Sequence, residues 1–165
     1  MSFWPVPDVM KQNIYEITPR MFQNRGIRFL ILDIDNTLAP YSVDGATERM
    51  KAWVQRMKDG GLELFILSNN RGSRPELFAA GLKLPYRKKA WKPFPKAARE
   101  VMAERGYSPA ETAFIGDQIY TDTACAKWSG AFAVLVKPIK FSRFILRFRY
   151  WLEFPFRLAY CRKHK

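Results

Sequence analysis

Two carboxylates stand two residues apart in Asp33-Ile34-Asp35, just after the apolar run Phe29-Leu30-Ile31-Leu32. On an extended chain that spacing starts both on one side. Such a pair repels itself and is costly to ionise unless a divalent cation holds it. Against a cation, an ionised aspartate can attack phosphorus while its neighbour protonates the leaving oxygen and later activates water. The same residues also read as a polar turn after a buried strand, with Asp33 or Asn36 capping the next segment. Ser68-Asn69-Asn70 offers a hydroxyl, an amide and backbone N–H groups at a helix entry, which is a phosphate cradle or simply an N-cap. Lys92, between Trp91 and Pro93, could set an ammonium against a phosphoryl group, or it is one solvated lysine beside Lys88, Lys89 and Lys96. Gly116-Asp117 allows a tight turn with a carboxylate that could complete a cation site, and Asp122 follows one helical turn later. Oxygen ligands with room left for water and phosphate suit Mg²⁺ better than zinc. His164 is the single histidine, which argues against zinc, phosphohistidine transfer and a Ser-His-Asp triad.

Each cluster follows a segment with strand or extended character. Ile27 to Leu32 is a near-continuous apolar run, as expected for a parallel strand covered on both faces. Thr47 to Lys58 has helical spacing, with Met50, Trp53, Val54 and Met57 on one side and Gly60-Gly61 as its stop. Leu62 to Leu67 reads as a strand, Pro75 to Ala80 as a short helix, and the chain near Tyr86 as extended. Pro95 to Arg105 is a helix ended by Gly106, Thr112 to Ile115 a strand, Tyr120 to Trp128 a helix and Ala131 to Val136 the last strand. Ahead of these lie an irregular opening at Pro5 and Pro7 and a short helical stretch through Val9, Ile14 and Ile17. The alternation predicts an α/β fold, a Rossmann-like three-layer α/β/α sandwich with a parallel sheet. Ligands of such folds sit beyond the carboxyl ends of the strands, where the polar clusters fall.

The chain has 165 residues, 48% of them hydrophobic, enough for one domain of the usual ~150 residues. Its longest apolar runs are short against the roughly 18 residues of a membrane span, which excludes a transmembrane reading. Met1-Ser2-Phe3-Trp4-Pro5 has no basic start leading into an apolar stretch, so no signal peptide is expected. Cys125 and Cys161 are too far apart in sequence for a metal or redox spacing, which suits a reducing cytosol. Lys and Arg number 28 against 15 Asp and Glu, a net +13, and residues 137–165 carry +8 of it, with Glu153 the one acid there. The partner should be anionic, a phospholipid surface or a nucleic acid.

Taken together, Asp33-x-Asp35-x-Thr37, Ser68-Asn69, Lys92-Pro93 and Gly116-Asp117 followed by Asp122 resemble the four motifs of the haloacid dehalogenase (HAD) superfamily. The longer strings Leu30 to Leu38, Ser68-Asn69-Asn70, Gly116 to Asp122 and Val136-x-Pro138 narrow the resemblance to YqeG-type HAD IIIA phosphatases, whose relatives include phosphatidylglycerophosphate phosphatases. It covers nearly everything to about Pro138. Trp91 and the stretch Cys125-Ala126-Lys127 depart from the family's pattern. The resemblance implies that Asp33 is the nucleophile, Asp35 the general acid/base, and Ser68, Asn69 and Lys92 the holders of the phosphoryl group. It also implies Mg²⁺ on Asp33, the backbone carbonyl of Asp35 and Asp117, with Asp122 as a ligand or support.

The expected organisation is a capless phosphatase domain over residues 1–138 and a basic, aromatic tail over 139–165. Only 32 residues separate Asp35 from Ser68, and 21 separate Asn70 from Lys92, so no cap domain fits in either interval. Capless HAD phosphatases tend to take bulky substrates, among which is a lipid phosphate held in a bilayer. In the tail, Phe141, Phe144, Ile145, Phe148, Trp151 and Leu152 form an apolar stripe opposite Lys140, Arg143 and Arg147. That pattern suits either an interfacial membrane helix or a last helix packed on the sheet, with Pro155 expected to break it. Nucleic acid ranks below an anionic membrane because no nucleic-acid module is recognisable. The expectation is a cytoplasmic enzyme, peripheral at the inner membrane face, that removes the terminal phosphate of phosphatidylglycerophosphate. A HAD phosphatase of a soluble ester and a non-catalytic HAD-like binding module are the alternatives.

Overall fold

The central strand β2 (Phe29–Leu32) is buried along its whole length, and its side chains alternate between two cores. Leu30 and Leu32 enter one hydrophobic cluster, Phe29 and Ile31 the other. The computed structural model, which describes residues 5–140 and 152–163, repeats this division in the neighbouring strands. In β3 (Glu63–Leu67), Leu64 and Ile66 face the first cluster while Phe65 and Leu67 face the second. In β5 (Thr112–Gly116), Ala113 and Ile115 oppose Phe114 in the same manner. With β1 (Val9–Lys11), β4 (Tyr86–Arg87) and β6 (Phe132–Val136), they form one parallel sheet in the order β1-β6-β5-β2-β3-β4.

Helices cover both faces. The first cluster is closed by Phe22 of α1 (Arg20–Gln23), by Met50, Trp53, Val54 and Met57 of α2 (Glu48–Asp59), and by Phe78 and Leu82 of α3 (Arg74–Leu82). The second is closed by Val101 and Met102 of α4 (Lys96–Arg105) and by Cys125 and Ala126 of α5 (Ala124–Ser129). The Thr47 side chain caps α2 by accepting from the Met50 N–H, and Gly106, at φ 74°, ends α4 in the left-handed conformation that glycine adopts freely. This is the three-layer α/β fold read from the sequence.

One local expectation changes. Val9 lies in a strand rather than a helix: β1 pairs with the otherwise open edge of β6, with Val9 opposite Val134. Only Ile14–Glu16 is helical there, as a single 3₁₀ turn capped by Asn13. An available sheet edge overrides a weak local preference. Pro155 lies in the first turn of α6 (Phe154–Lys163), where its missing N–H would have no partner anyway; most of the helix it was expected to break lies outside the described residues. The stripe residues Phe141, Phe144, Ile145, Phe148 and Trp151, the cations Arg143, Arg147 and Arg149, and His164 lie outside the described residues. Among the described residues, no helix is long and apolar enough to cross a membrane.

Because all strands run in one direction, their carboxyl ends share one rim. The chain moves from β2 to β3 and β4, then returns to β5 on the other side of β2, so the crevice opens beside β2. Single helices link β2 to β3 and β3 to β4, and among the described residues no domain is inserted over the rim. Phe29, fully buried and stacked on Tyr107 at 4.8 Å, anchors the second cluster. Phe29→Ala is expected to lower the unfolding free energy by about 3–5 kcal/mol in urea titrations.

Candidate active site

The backbone fixes the site before any side chain acts. The Asp33 N–H donates to the Ile115 carbonyl at 3.0 Å, extending the β2–β5 ladder by one residue. The chain then turns sharply, and the N–H groups of Thr37, Leu38 and Ala39 all reach back to the Ile34 carbonyl. Asn36 takes φ 61° in this turn, a conformation that asparagine tolerates better than most residues. At the end of β3, the Ser68 N–H donates to the Arg87 carbonyl, and the Ser68 carbonyl accepts from Ala90. The segment that leads to Lys92 is thereby tied to the sheet.

Asn69 completes that tie. Its Oδ1 accepts from the Lys92 N–H at 2.7 Å, and its Nδ2 donates to the Lys92 carbonyl at 3.0 Å. Both ends of the amide hold the peptide of Lys92, although the sequence suggests a phosphate contact for Asn69. The Ser68 hydroxyl accepts from the Asn70 N–H at 3.1 Å, and its own proton can still be donated.

So held, Lys92 turns inward. Its Nζ donates to Asp33 Oδ1 at 2.6 Å and to Asp122 Oδ1 at 2.8 Å, with the lysine side chain 2% exposed. Asp33, Asp117 and Asp122 each present an oxygen within 4.8 Å of the others. Thr37 Oγ1 stands 3.4 Å from both Asp33 Oδ2 and Asp117 Oδ1. Asp122 is fixed by the Gln118 N–H, which donates to its Oδ2 at 3.1 Å. Gly116 makes room for it, because a Cβ there would lie 2.3 Å from the Asp122 Cβ.

Burial pushes the Asp33 carboxyl up to about 7, although the Lys92 ammonium pulls it down. Burial, then Asp122 and Asp33, holds Asp117 well above the ordinary carboxylate range. For Lys92, burial alone would favour the neutral amine; Asp122 and Asp33 outweigh it and raise the group. Three carboxylates against one ammonium leave a formal charge of −2 when all are ionised, which is the charge one divalent cation cancels. Asp117 Oδ2 is buried without a hydrogen-bond partner. An orphan carboxylate oxygen beside two further carboxylates fits a hard, oxygen-seeking cation.

Asp35 stands apart from this cluster. Its Oδ1 meets Arg74 Nε at 2.7 Å, and its Oδ2 lies 3.5 Å from Asn70 Nδ2. Arg74 also donates to the carbonyls of Pro40 and Val43 and pairs with Asp44, stitching the loop after Ala39 to Asp35. A cleft of about 330 Å³ is lined by Asp33, Asp35, Lys92 and Asp122 together with Tyr41 and Tyr120.

Sequence reasoning passes over two residues near this cleft. Arg74 opens α3, where the helix dipole disfavours a cation; that misplaced charge was a signal that a carboxylate faces it. Glu153, the lone acid of the basic tail, accepts from the Ile119 N–H at 2.7 Å and pairs with Arg157 at 2.9 Å. Tyr120 donates its hydroxyl to the Leu152 carbonyl at 3.0 Å. The described end of the tail is thus seated beside the Gly116–Asp122 loop.

Known proteins point the same way. The family model described as mitochondrial PGP phosphatase matches residues 4–139. The chain belongs to that family. It is 35% identical over 149 residues to "Probable phosphatase YqeG" of Bacillus subtilis (strain 168), covering 90% of this chain and 87% of the relative. The fold is similar to that of the deoxy-D-mannose-octulosonate 8-phosphate phosphatase of Haemophilus influenzae, solved in a cobalt-bound form, with TM-score 0.54, 17% identity and coverage of 67% of this chain and 68% of that one. It is also similar to a Streptomyces avermitilis MA-4680 protein assigned to the HAD hydrolases, with TM-score 0.54, 18% identity and coverage of 74% and 80%. This chain is a HAD phosphatase of the YqeG type, a phosphoric monoester hydrolase.

Lys92 is the cation set against the cluster, and removing it leaves buried carboxylates uncompensated. Lys92→Met is expected to lower stability by about 3–5 kcal/mol in chelator-treated protein, read by urea unfolding. The loss should shrink when a divalent cation is added at millimolar concentration.

Proposed function

We propose that this phosphatase removes the terminal phosphate of phosphatidylglycerophosphate at a membrane surface, through an acyl phosphate formed on the Asp33 carboxylate with Mg²⁺ bound. The observation that carries the chemistry is the buried cluster of Asp33, Asp117, Asp122 and Lys92 at the base of an uncapped cleft. Asp33, the Asp35 backbone carbonyl and Asp117 would hold the ion, with Asp122 as a further ligand or as support through Lys92. When bound, Mg²⁺ supplies positive charge that keeps Asp33 ionised and neutralises phosphoryl oxygens.

Asp33 forms the new bond to phosphorus as the bond from phosphorus to the substrate alkoxide breaks. Asp35 gives that alkoxide its proton and is left as a carboxylate. It then takes a proton from water, whose oxygen attacks the same phosphorus; the bond to Asp33 breaks, and inorganic phosphate leaves. Lys92 and the Ser68 hydroxyl hold the charge on the transferring group, while Asn69 holds Lys92. Arg74 acts on Asp35 as a positioning residue, keeping its carboxylate at the edge of the cleft where a leaving group departs.

Three observations support the lipid substrate: the description of the matching family, the absence of an inserted domain over the site, and the net charge of +13. The tail over 139–165 would supply the contact with an anionic leaflet, where each cation contributes roughly 1 kcal/mol. Since Glu153 reaches the Ile119 N–H, deleting everything after Pro138 would also disturb the site. Charge substitution is the cleaner way to probe the tail.

Asp33→Asn should cut phosphate release by about 10³-fold or more with folding intact; retained turnover would exclude the acyl phosphate on Asp33. Wild-type activity should be highest on phosphatidylglycerophosphate in anionic mixed micelles, and faster turnover of a soluble sugar phosphate would overturn the substrate. In single-turnover phosphorylation of Asp33, Asp35→Asn and Arg74→Met should both slow an alkyl phosphate far more than an aryl phosphate, whose phenolate leaves without a proton.

A further inference from the structure

Lys92 sits inside a turn closed by the Phe94 N–H, which donates to the Trp91 carbonyl at 3.0 Å. The lysine points into the protein, while the two aromatic corners of the turn point out: Trp91 is 63% exposed and Phe94 65%. Trp91 also adopts φ 56°, in the left-handed region that a bulky residue disfavours. A glycine or asparagine would form this turn without that strain and without exposing an indole. The fold therefore gains little from Trp91 beyond its contact with Arg71, and most of the indole is left for something outside the chain.

The surroundings state what that is. Arg71, exposed, lays its guanidinium over the Trp91 ring at 4.6 Å from the centroid, and Lys89 and Lys96 stand exposed on either side of the turn. Aromatic rings set among cations match the boundary between anionic headgroups and acyl chains. Tyr120 is 39% exposed and bonded to the Leu152 carbonyl, and Leu152 and Phe154 are exposed as well. Pro93, inside the turn, and Tyr120 both line the cleft that holds Asp33, Lys92 and Asp122. Exposed apolar groups thus adjoin the cleft from the turn and from the Tyr120 segment.

We infer that the Trp91–Phe94 turn is a membrane-docking element that seats its rings in an anionic leaflet and so sets the mouth of the site against the headgroups. The inference rests on the lipid-phosphate reading above and adds the surface by which the substrate is reached. The rings contact acyl chains and glycerol backbones; the phosphate enters between them toward Asp33. Because Trp91 and Lys92 are adjacent, the docking surface and the ammonium of the site move as one piece.

The test compares the full-length wild type with Trp91→Gly/Phe94→Ser. Glycine accepts φ 56° freely, so the melting temperature should be equal or higher, and turnover of soluble p-nitrophenyl phosphate should be unchanged. Sedimentation with vesicles of phosphatidylcholine and phosphatidylglycerol should weaken by about tenfold or more. Activity on phosphatidylglycerophosphate in those vesicles should fall through KM rather than kcat. Brominated lipid should quench a tryptophan component in the wild type that is missing in Trp91→Phe. If the wild type binds vesicles and prefers the lipid substrate but the double variant does so equally well, the turn does not dock and the lipid reading survives. If the wild type itself neither binds vesicles nor prefers the lipid, that reading fails and the docking inference falls with it. A raised KM for p-nitrophenyl phosphate would make the turn a substrate wall, and a partner protein protecting the two rings in vesicle-free buffer would assign them to a protein contact; either overturns the inference.

Discussion

One ammonium group faces two carboxylates directly, and a third stands within reach, all almost wholly buried. Every other feature of the rim accommodates that imbalance. Burial makes ionised carboxylates costly, so the cluster either keeps protons or takes in positive charge. The nucleophilic role proposed for Asp33 requires the second course. The same low-polarity surroundings that make uncompensated carboxylates unfavourable would make each charge act more strongly on a phosphoryl group. On that proposal, the cost of the cluster and its reactivity have a common origin.

Parallel strand order is what brings the four groups together. Asp33, Ser68 and Asp117 each come immediately after a strand, and β2 lies between β3 and β5, so residues far apart in sequence meet at one crevice. Lys92 reaches the same place differently, from a loop held by backbone bonds to the end of β3. The apolar alternation of Phe29 to Leu32 between two cores locks β2 against slippage, since a shift of one residue would exchange the two faces. Precision at Asp33 is in that sense a property of the cores beneath it.

Much of this was readable from residue order. Strands leave apolar runs, helices leave glycine stops, and the chemistry falls at the junctions, so the central strands, α2, α4 and the aspartates were visible in advance. What escaped was what depends on tertiary neighbours. The edge strand Val9–Lys11 forms only because β6 offers an unpaired edge. Asn69 carries the same amide whether it faces phosphate or a peptide, and only the approach of the Lys92 loop distinguishes them. Arg74 and Glu153 were conspicuous solely as charges in the wrong company: a cation at a helix start and an acid in a basic tail.

Asn69 grips the peptide at position 92 and takes no hold on its side chain. The address of that position is consequently written separately from its occupant. Whatever residue stood there would be delivered to the same socket between Asp33 and Asp122, and its chemical character alone would change. Altering Asn69 does the reverse, leaving a correct lysine without a destination. A family built on this loop can vary the contents of the socket while its scaffold stays the same.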